Sequence, residues 1–244
     1  MARVAIVSDL HGNLAALEAV LAELERERPD LVVHGGDLAL SGAHPAEIVD
    51  RVRELGWPGV VGNVDELLWR PEQRATREAE APALRPLFHL LFGSHANATR
   101  ELLGRERIGW LRTLPREHRI EQMVVLHAGP DALWQAPLPD AGDDELSEAY
   151  AGLGAEVVVY GHIHRPYVRV LPGFTVANSG SVGQPWDGDA RASYLLVDDG
   201  EASIRRVEYD VEREAAALTE RGYPDADWLA ERLRLGRFLT VPEA

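Results

Sequence analysis

Residues 4–13 read Val-Ala-Ile-Val-Ser-Asp-Leu-His-Gly-Asn, and this stretch decides the fold. Four apolar residues, Val4 to Val7, have the length and character of a buried strand. The run stops at once in Ser8-Asp9-Leu10-His11, so a strand end presents two side chains able to bind a metal. Asn13 then stands as an N-cap before Leu14, Leu17, Val20, Leu21 and Leu24, which recur at helical spacing until Pro29.

The unit repeats downstream. A second strand over 31–33 closes in Gly35-Gly36-Asp37, and a helix over 45–55 begins with Pro45 near its first helical position. Val60 and Val61 predict a third strand ending in Gly62-Asn63. Strand, helix, strand, helix, strand in this order predicts parallel strands with helical crossovers. Residues 67–114 break the rhythm. They are rich in Arg and Glu on one side and carry Leu84, Leu87, Leu90, Leu91, Leu102, Leu103 and Leu111 on the other, which predicts a helical insertion acting as a cap or flank. A strand over 123–126 runs into His127, a helix over 143–153 follows, and a strand over 156–160 runs into Gly161-His162. Alternating stretches at 167–170, 174–177, 193–197 and 203–207 predict a largely antiparallel second sheet. Helices over 211–221 and 225–235 close the chain, and 1–244 is expected to form one domain.

Composition narrows the chemistry. The 244 residues are 45% hydrophobic and 27% charged, the balance of a soluble globular protein. Cysteine is absent, which excludes disulfides and thiolate metal sites, so a metal must be held by oxygen and nitrogen. The N-terminal apolar run is too short for a signal peptide and no stretch has the length of a membrane span, so a cytoplasmic protein without a membrane partner is expected. A net charge of −15 disfavours nucleic acid as a partner and argues against a nuclease. All the basic residues are arginine, which reads as biased codon usage.

Strand after strand ends in a metal-capable residue: Asp9, Asp37, Asn63, His127 and His162. In open α/β sheets ligands bind outside the carboxyl ends of the strands, so these residues are expected on one rim. Asp9/His11 and His162/His164 are i, i+2 pairs, which point the same way if the backbone is extended. Oxygen and imidazole ligands suit manganese, iron and zinc. Two divalent ions bring four positive charges and Asp9 and Asp37 return two, leaving a centre that favours a phosphoryl transition state. A hydroxide bridging the two ions is the expected nucleophile, since a bound cation can lower a water pKa to ~7.

Asp9-Leu10-His11, Gly35-Gly36-Asp37, Gly62-Asn63-Val64-Asp65, His127-Ala128 and Gly161-His162-Ile163-His164 resemble, in order, the motifs of calcineurin-like metallophosphoesterases. Residues 178–183, Asn-Ser-Gly-Ser-Val-Gly, resemble the following loop of the small bacterial and archaeal phosphodiesterase branch. The resemblance implies an α/β fold, a four-layer αββα sandwich of two mixed β-sheets flanked by helices. It implies Asp9, His11 and His164 on one ion, Asn63, His127 and His162 on the other, and Asp37 bridging. Manganese is the family's usual metal, with iron, zinc or nickel as alternatives. Asp37, Asn63, His127 and Asp65 are the expected catalytic residues.

One departure bears on the substrate. Many members carry a histidine after the asparagine of the third motif, and it protonates the leaving group; here the position is Val64. A small phosphodiester with a stable leaving group is therefore the expected substrate. The alternatives are a phosphomonoesterase, of the protein phosphatase or diadenosine polyphosphate hydrolase type, and a non-catalytic scaffold of the same fold. Asp65 is read either as an acceptor that orients a ligand histidine or as an acidic residue at a helix N-terminus. His34 is expected to be buried and hydrogen-bonded. His95 is expected at the surface, with replacement acid as its functional alternative. Ser179 and Ser181 are read as a tight glycine turn, with phosphate contact as the alternative, and Trp186 as packing or a stacking partner for an aromatic ester. The insertion or the C-terminal helices offer faces for a homodimer or for packing on their own domain.

Overall fold

A computed structural model describes residues 2–241. Two mixed sheets pack face to face between layers of helix. The first has the order β2-β1-β8-β9, with β1 Val4–Val7, β2 Leu31–His34, β8 Ala192–Asp198 and β9 Glu201–Val207. The second has the order β3-β4-β5-β7-β6, with β3 Glu117–Ile120, β4 Met123–Leu126, β5 Val157–Tyr160, β6 Tyr167–Leu171 and β7 Phe174–Asn178.

Side-chain alternation along the strands builds the four layers. Val4 and Ile6 of β1 point inward and meet Val125 and Val159 of the other sheet. Ala5 and Val7 point outward, onto Leu17 and Val20 of α1 (Leu14–Glu27) and Ile48 and Val52 of α2 (Pro45–Glu54). On the far side Val124, Val158 and Tyr160 pack on Leu146 and Tyr150 of α7 (Asp143–Tyr150). Central strands buried on both faces read as continuous apolar runs, as these do.

The structure corrects several expectations. The later strands do not form one antiparallel sheet. The β6-β7 hairpin joins β5 through β7, in parallel, while β8-β9 joins β1 in antiparallel. Both sheets are mixed for that reason. The third strand at Val60-Val61 is only an extended segment, bridged in parallel from Gly59 to His34. Strand β3 escaped notice because Glu-His-Arg-Ile offers one apolar residue, and it pairs with β4 across a tight turn in which Glu121 has φ 49°.

Helix begins earlier than expected, at α3 (Asn63–Glu66), so Asn63 opens a helix rather than ending a strand. The insertion continues with α4 (Gln73–Glu80), α5 (Arg85–Leu90) and α6 (Ala96–Leu111), broken by non-helical backbone at Gly93 and Gly104. It shares its core with the main body: Phe88, Phe92, Ala96, Leu103 and Leu111 belong to the same buried cluster as Val7, Leu10 and Leu17. The C-terminal helices α8 (Val211–Glu220) and α9 (Ala226–Leu235) bury Leu218, Trp228, Leu229 and Leu233 against Ala43 and Tyr223 of their own chain. These apolar faces are thus already covered, and nothing in them supports a homodimer.

Leu111→Ala should cost about 2–5 kcal/mol, since Leu111 is fully buried where the insertion meets the main core. Urea unfolding should show one transition moved to lower concentration. An early transition confined to the insertion would show that the shared core does not couple the two parts.

Candidate metal centre

The carboxyl ends of β1, β2, β4 and β5 meet at one rim of the sandwich, and backbone hydrogen bonds fasten the loops there. Asp9 N donates to Gly36 O at 3.0 Å, His11 N to Asp37 O at 3.0 Å, Gly161 N to His127 O at 3.0 Å and Val182 N to Ser8 O at 2.9 Å. The last two tie strand-end loops within and across the sheets. Glycines allow the approach: a Cβ on Gly62 would lie 2.0 Å from Asp37 Oδ1, and one on Gly161 2.4 Å from Asp9 Oδ2.

The backbone at this rim is strained. Asp9, His11, Asp37, His162 and His164 have φ of 56°, 47°, 53°, 67° and 53°. Such left-handed backbone costs on the order of 1–3 kcal/mol per residue and persists where the surroundings impose it. The i, i+2 pairs are therefore not extended. Asp9 and His11 converge through two left-handed residues, while His162 and His164 turn to different partners.

Each of three histidines has one ring nitrogen committed to a backbone carbonyl. His11 Nδ1 donates to Leu40 O at 2.8 Å, His127 Nδ1 to Gly35 O at 2.8 Å and His164 Nδ1 to Gln184 O at 2.5 Å. A carbonyl only accepts, so Nδ1 carries a hydrogen and Nε2 is the nitrogen turned inward, bare whenever the ring is neutral.

The inward atoms crowd together. His11 Nε2 and His164 Nε2 are 3.2 Å apart, and Asp9 Oδ1 is 3.1 Å from His164 Nε2. Asp37 Oδ2 lies 3.3 Å from His127 Nε2 and 3.9 Å from His11 Nε2. Asn63 Oδ1 lies 2.7 Å from His127 Nε2 and 2.9 Å from His162 Nδ1. Two bare nitrogens facing each other repel unless a cation sits among them.

Two sets of ligand atoms, from Asp9, His11 and His164 and from Asp9, Asp37 and His127, each lie within 4.8 Å of one another. All five residues are buried, and neither carboxylate is paired with an arginine among the described residues. Buried carboxylates without a counter-charge are costly, and a divalent ion answers both needs. The donor set therefore fits divalent metal, and the chain's seven expected ligands stand together at the rim.

The same crowding shifts their protonation. Burial works to raise the Asp9 carboxyl, but His164, by charge and hydrogen bond, outweighs it and holds Asp9 below the usual carboxylate range. Burial works to lower His127, but the Asp37 charge and hydrogen bond raise it to about 9. Burial lowers His11 and His162 to about 4 each.

Asp65 contacts backbone rather than a histidine. Its Oδ1 accepts from Leu38 N at 3.0 Å and its Oδ2 from Gly62 N at 3.2 Å, which fixes the loops carrying Asp37 and Asn63. Burial, then the Asp37 charge, push it up to about 7. Asp37 Oδ1 is also held, by Val64 N at 2.9 Å.

Other expected residues settle as follows. Ser181 Oγ donates to Asp9 O at 2.8 Å and accepts from Gln184 N at 2.7 Å, so it serves the turn. His95 is not at the surface: it is fully buried between Ser41 Oγ at 2.9 Å and Asp225 Oδ2 at 3.1 Å. His34 is buried, but neither ring nitrogen has a hydrogen-bond partner among the described residues. Trp186 stacks on His164, with ring centroids 3.8 Å apart, and Gln184 supplies the carbonyl that orients that histidine. Residues acting through backbone carbonyls, such as Gly35, Leu40 and Gln184, leave no side-chain signature in a sequence.

The rim opens into a cleft of about 850 Å³. His11, Asp37, Asn63, Val64, His162 and His164 form its floor. The insertion supplies one wall, with Leu84, Leu87 and Phe88, and residues 184–188 and 232–238 supply part of another. Leu84 is 40% exposed, although its spacing predicted packing, because it faces this cleft.

Comparison with known proteins agrees with this architecture. The chain is 30% identical over 258 aligned positions to an uncharacterised protein of Methanocaldococcus jannaschii, covering 96% of this chain and 98% of the other. It is similar to the crystal structure of a metallophosphoesterase from Sphaerobacter thermophilus, with a TM-score of 0.79, 27% identity and coverage of 96% and 99%. A hypothetical protein from Pyrococcus horikoshii shares the fold at a TM-score of 0.82 and 20% identity, with coverage of 97% and 99%. Residues 2–201 match the calcineurin-like phosphoesterase superfamily domain, and with the metal-fitting rim at the strand ends the chain belongs to that family.

Proposed function

We propose that the protein is a phosphodiesterase dependent on two divalent ions, manganese foremost. Asp9, His11 and His164 would hold one ion, Asn63, His127 and His162 the other, and Asp37 would serve both. The observation that carries it is the inward crowding of imidazole Nε2 atoms, each ring fixed by its Nδ1–H to a carbonyl. Bound ions supply positive charge where phosphoryl oxygens gather and make water acidic enough to attack near neutral pH.

The chain's own residues do the remaining work. Asp65 and Val64 N hold the loops and carboxylate that fix Asp37 and Asn63. The cleft positions the ester against the floor, which is where orientation contributes most to the rate. Val64 lines the cleft beside Asn63, and His95 is enclosed away from it. No histidine outside the proposed ligand set lines this cleft among the described residues. A leaving group that departs without a proton suits such a floor, which favours aryl over alkyl esters and diesters over monoesters.

Protein stripped of metal and then given manganese should hydrolyse bis(4-nitrophenyl) phosphate faster than 4-nitrophenyl phosphate, and the stripped form should hydrolyse neither. Val64→His should raise kcat for an alkyl ester relative to an aryl ester by about tenfold or more, because general acid help is worth ~10²–10⁴-fold when placed well. Faster cleavage of the monoester would contradict the diesterase reading.

Metal affinity should depend on pH through His127. In the metal-free protein this ring is protonated up to about 9, and its Nε2 must lose the proton to bind an ion. Affinity should therefore rise with pH, by up to about tenfold per unit, and level off above that value. Calorimetric manganese titrations in two buffers of different protonation enthalpy should show proton release near neutrality. An affinity unchanged between neutral pH and pH ~9 would contradict a His127 that must give up a proton to bind the ion.

A further inference from the structure

One wall of the cleft holds a cation that the metal centre does not use. Arg232, on α9, is 4% exposed and is the one arginine so enclosed among the described residues. Among these residues no carboxylate pairs with it; its Nη2 donates to Gln184 Oε1 at 3.1 Å, and its buried Nε has no partner. The rings of Trp228, Trp186 and Phe238 lie 4.5, 5.3 and 5.5 Å from the guanidinium carbon. Burial lowers its pKa to about 10, which leaves it cationic at neutral pH. The aromatic faces offset part of its desolvation, but its free donors still lack an anion.

Two routes connect this cation to the metal centre. Gln184 accepts from Arg232 through its side chain and from His164 Nδ1 through its carbonyl. Trp186 lies under the guanidinium and stacks on the His164 ring. Arg165 and Arg237 line the same cleft, are exposed, and form no ion pair among the described residues. Asp187 also lines this wall but is paired with Arg206. In a chain of net charge −15, an uncompensated cationic wall beside the metal rim runs against the bulk of the surface.

We propose that Arg232, flanked by Arg165 and Arg237, is a subsite for a second phosphoryl group, so that the preferred substrates are phosphate esters carrying two phosphoryl groups. The planar guanidinium fork matches phosphoryl oxygens and forms charge-assisted hydrogen bonds with them. A cleft of about 850 Å³ has room for much more than one phosphate. Phe88, Trp134 and Leu138 give the remaining wall an apolar surface for the organic part between the two groups. The substrate class rests on the phosphodiesterase reading of the metal centre, whereas the subsite itself is read out by binding alone.

The test is calorimetric binding of thymidine 3′,5′-bisphosphate and thymidine 5′-monophosphate to the manganese-loaded protein, wild type and with Arg232→Met or Arg237→Met. The wild type should bind the bisphosphate about 10–100-fold more tightly. Arg232→Met should remove most of that preference. Arg237→Met, at an exposed position that leaves the core intact, should remove part of it. Equal affinities in the wild type, or a preference that survives both substitutions, would overturn the subsite. A preference for the bisphosphate together with no turnover of any aryl diester would leave the subsite standing and sink the phosphodiesterase reading instead.

Discussion

The site depends on three hydrogen bonds from imidazole Nδ1 to backbone carbonyls, at Gly35, Leu40 and Gln184. Each carbonyl lies on a different segment from the histidine it orients, and Gly35 on the opposite sheet from His127. No ligand nitrogen is therefore aimed until the rim of the sandwich is assembled. The left-handed backbone at Asp9, His11, Asp37, His162 and His164 is the strain the assembled fold retains to aim them. Strain of this kind concentrates at functional positions because the rest of the fold is stable enough to impose it.

The electrostatics follow from the same geometry. Asp9 and Asp37 are buried with no arginine beside them among the described residues, and, despite burial, the Asp37 charge raises His127 to about 9 in the metal-free cluster. Divalent cations would satisfy this arrangement better than protons do, and the two proposed ions would leave positive charge at the floor of the cleft. Asp65, pushed up to about 7 by burial and by Asp37, adds little negative charge there and acts through its backbone contacts. A net acidic chain can thus attract an anionic ester through a local field.

Much of this was legible in the sequence where the signal was local. Val4–Val7 followed by Asp9, Asn13 as an N-cap accepting from Ala16 N, and Pro45 opening α2 all behave as their residue types require. Pairing between distant strands was not legible. Alternation marked β6, β7, β8 and β9 as strands, but nothing local says that one hairpin joins β5 and the other β1. The candidate ligand residues were readable as types in order, while the conformation that unites them was not: Asp9 and His11 converge through left-handed backbone, which a motif does not encode. Gln184 and Arg232 escaped, and the stacking of Trp186 on His164 was not foreseen, because these roles come from packing over long separations.

The insertion and the C-terminal helices turn a shared rim into a particular cleft. They place apolar side chains on one wall and uncompensated arginines on another, so the walls of the cleft come largely from parts of the chain without motifs. In the proposed reading this rim would hold two ions, with Asp37 serving both. Anomalous diffraction from crystals of the manganese-loaded protein tests it most directly. Two peaks about 3.5–4 Å apart with Asp37 between them are expected. A single peak, or ions bound away from Asp37 and His127, would rule out the two-ion centre.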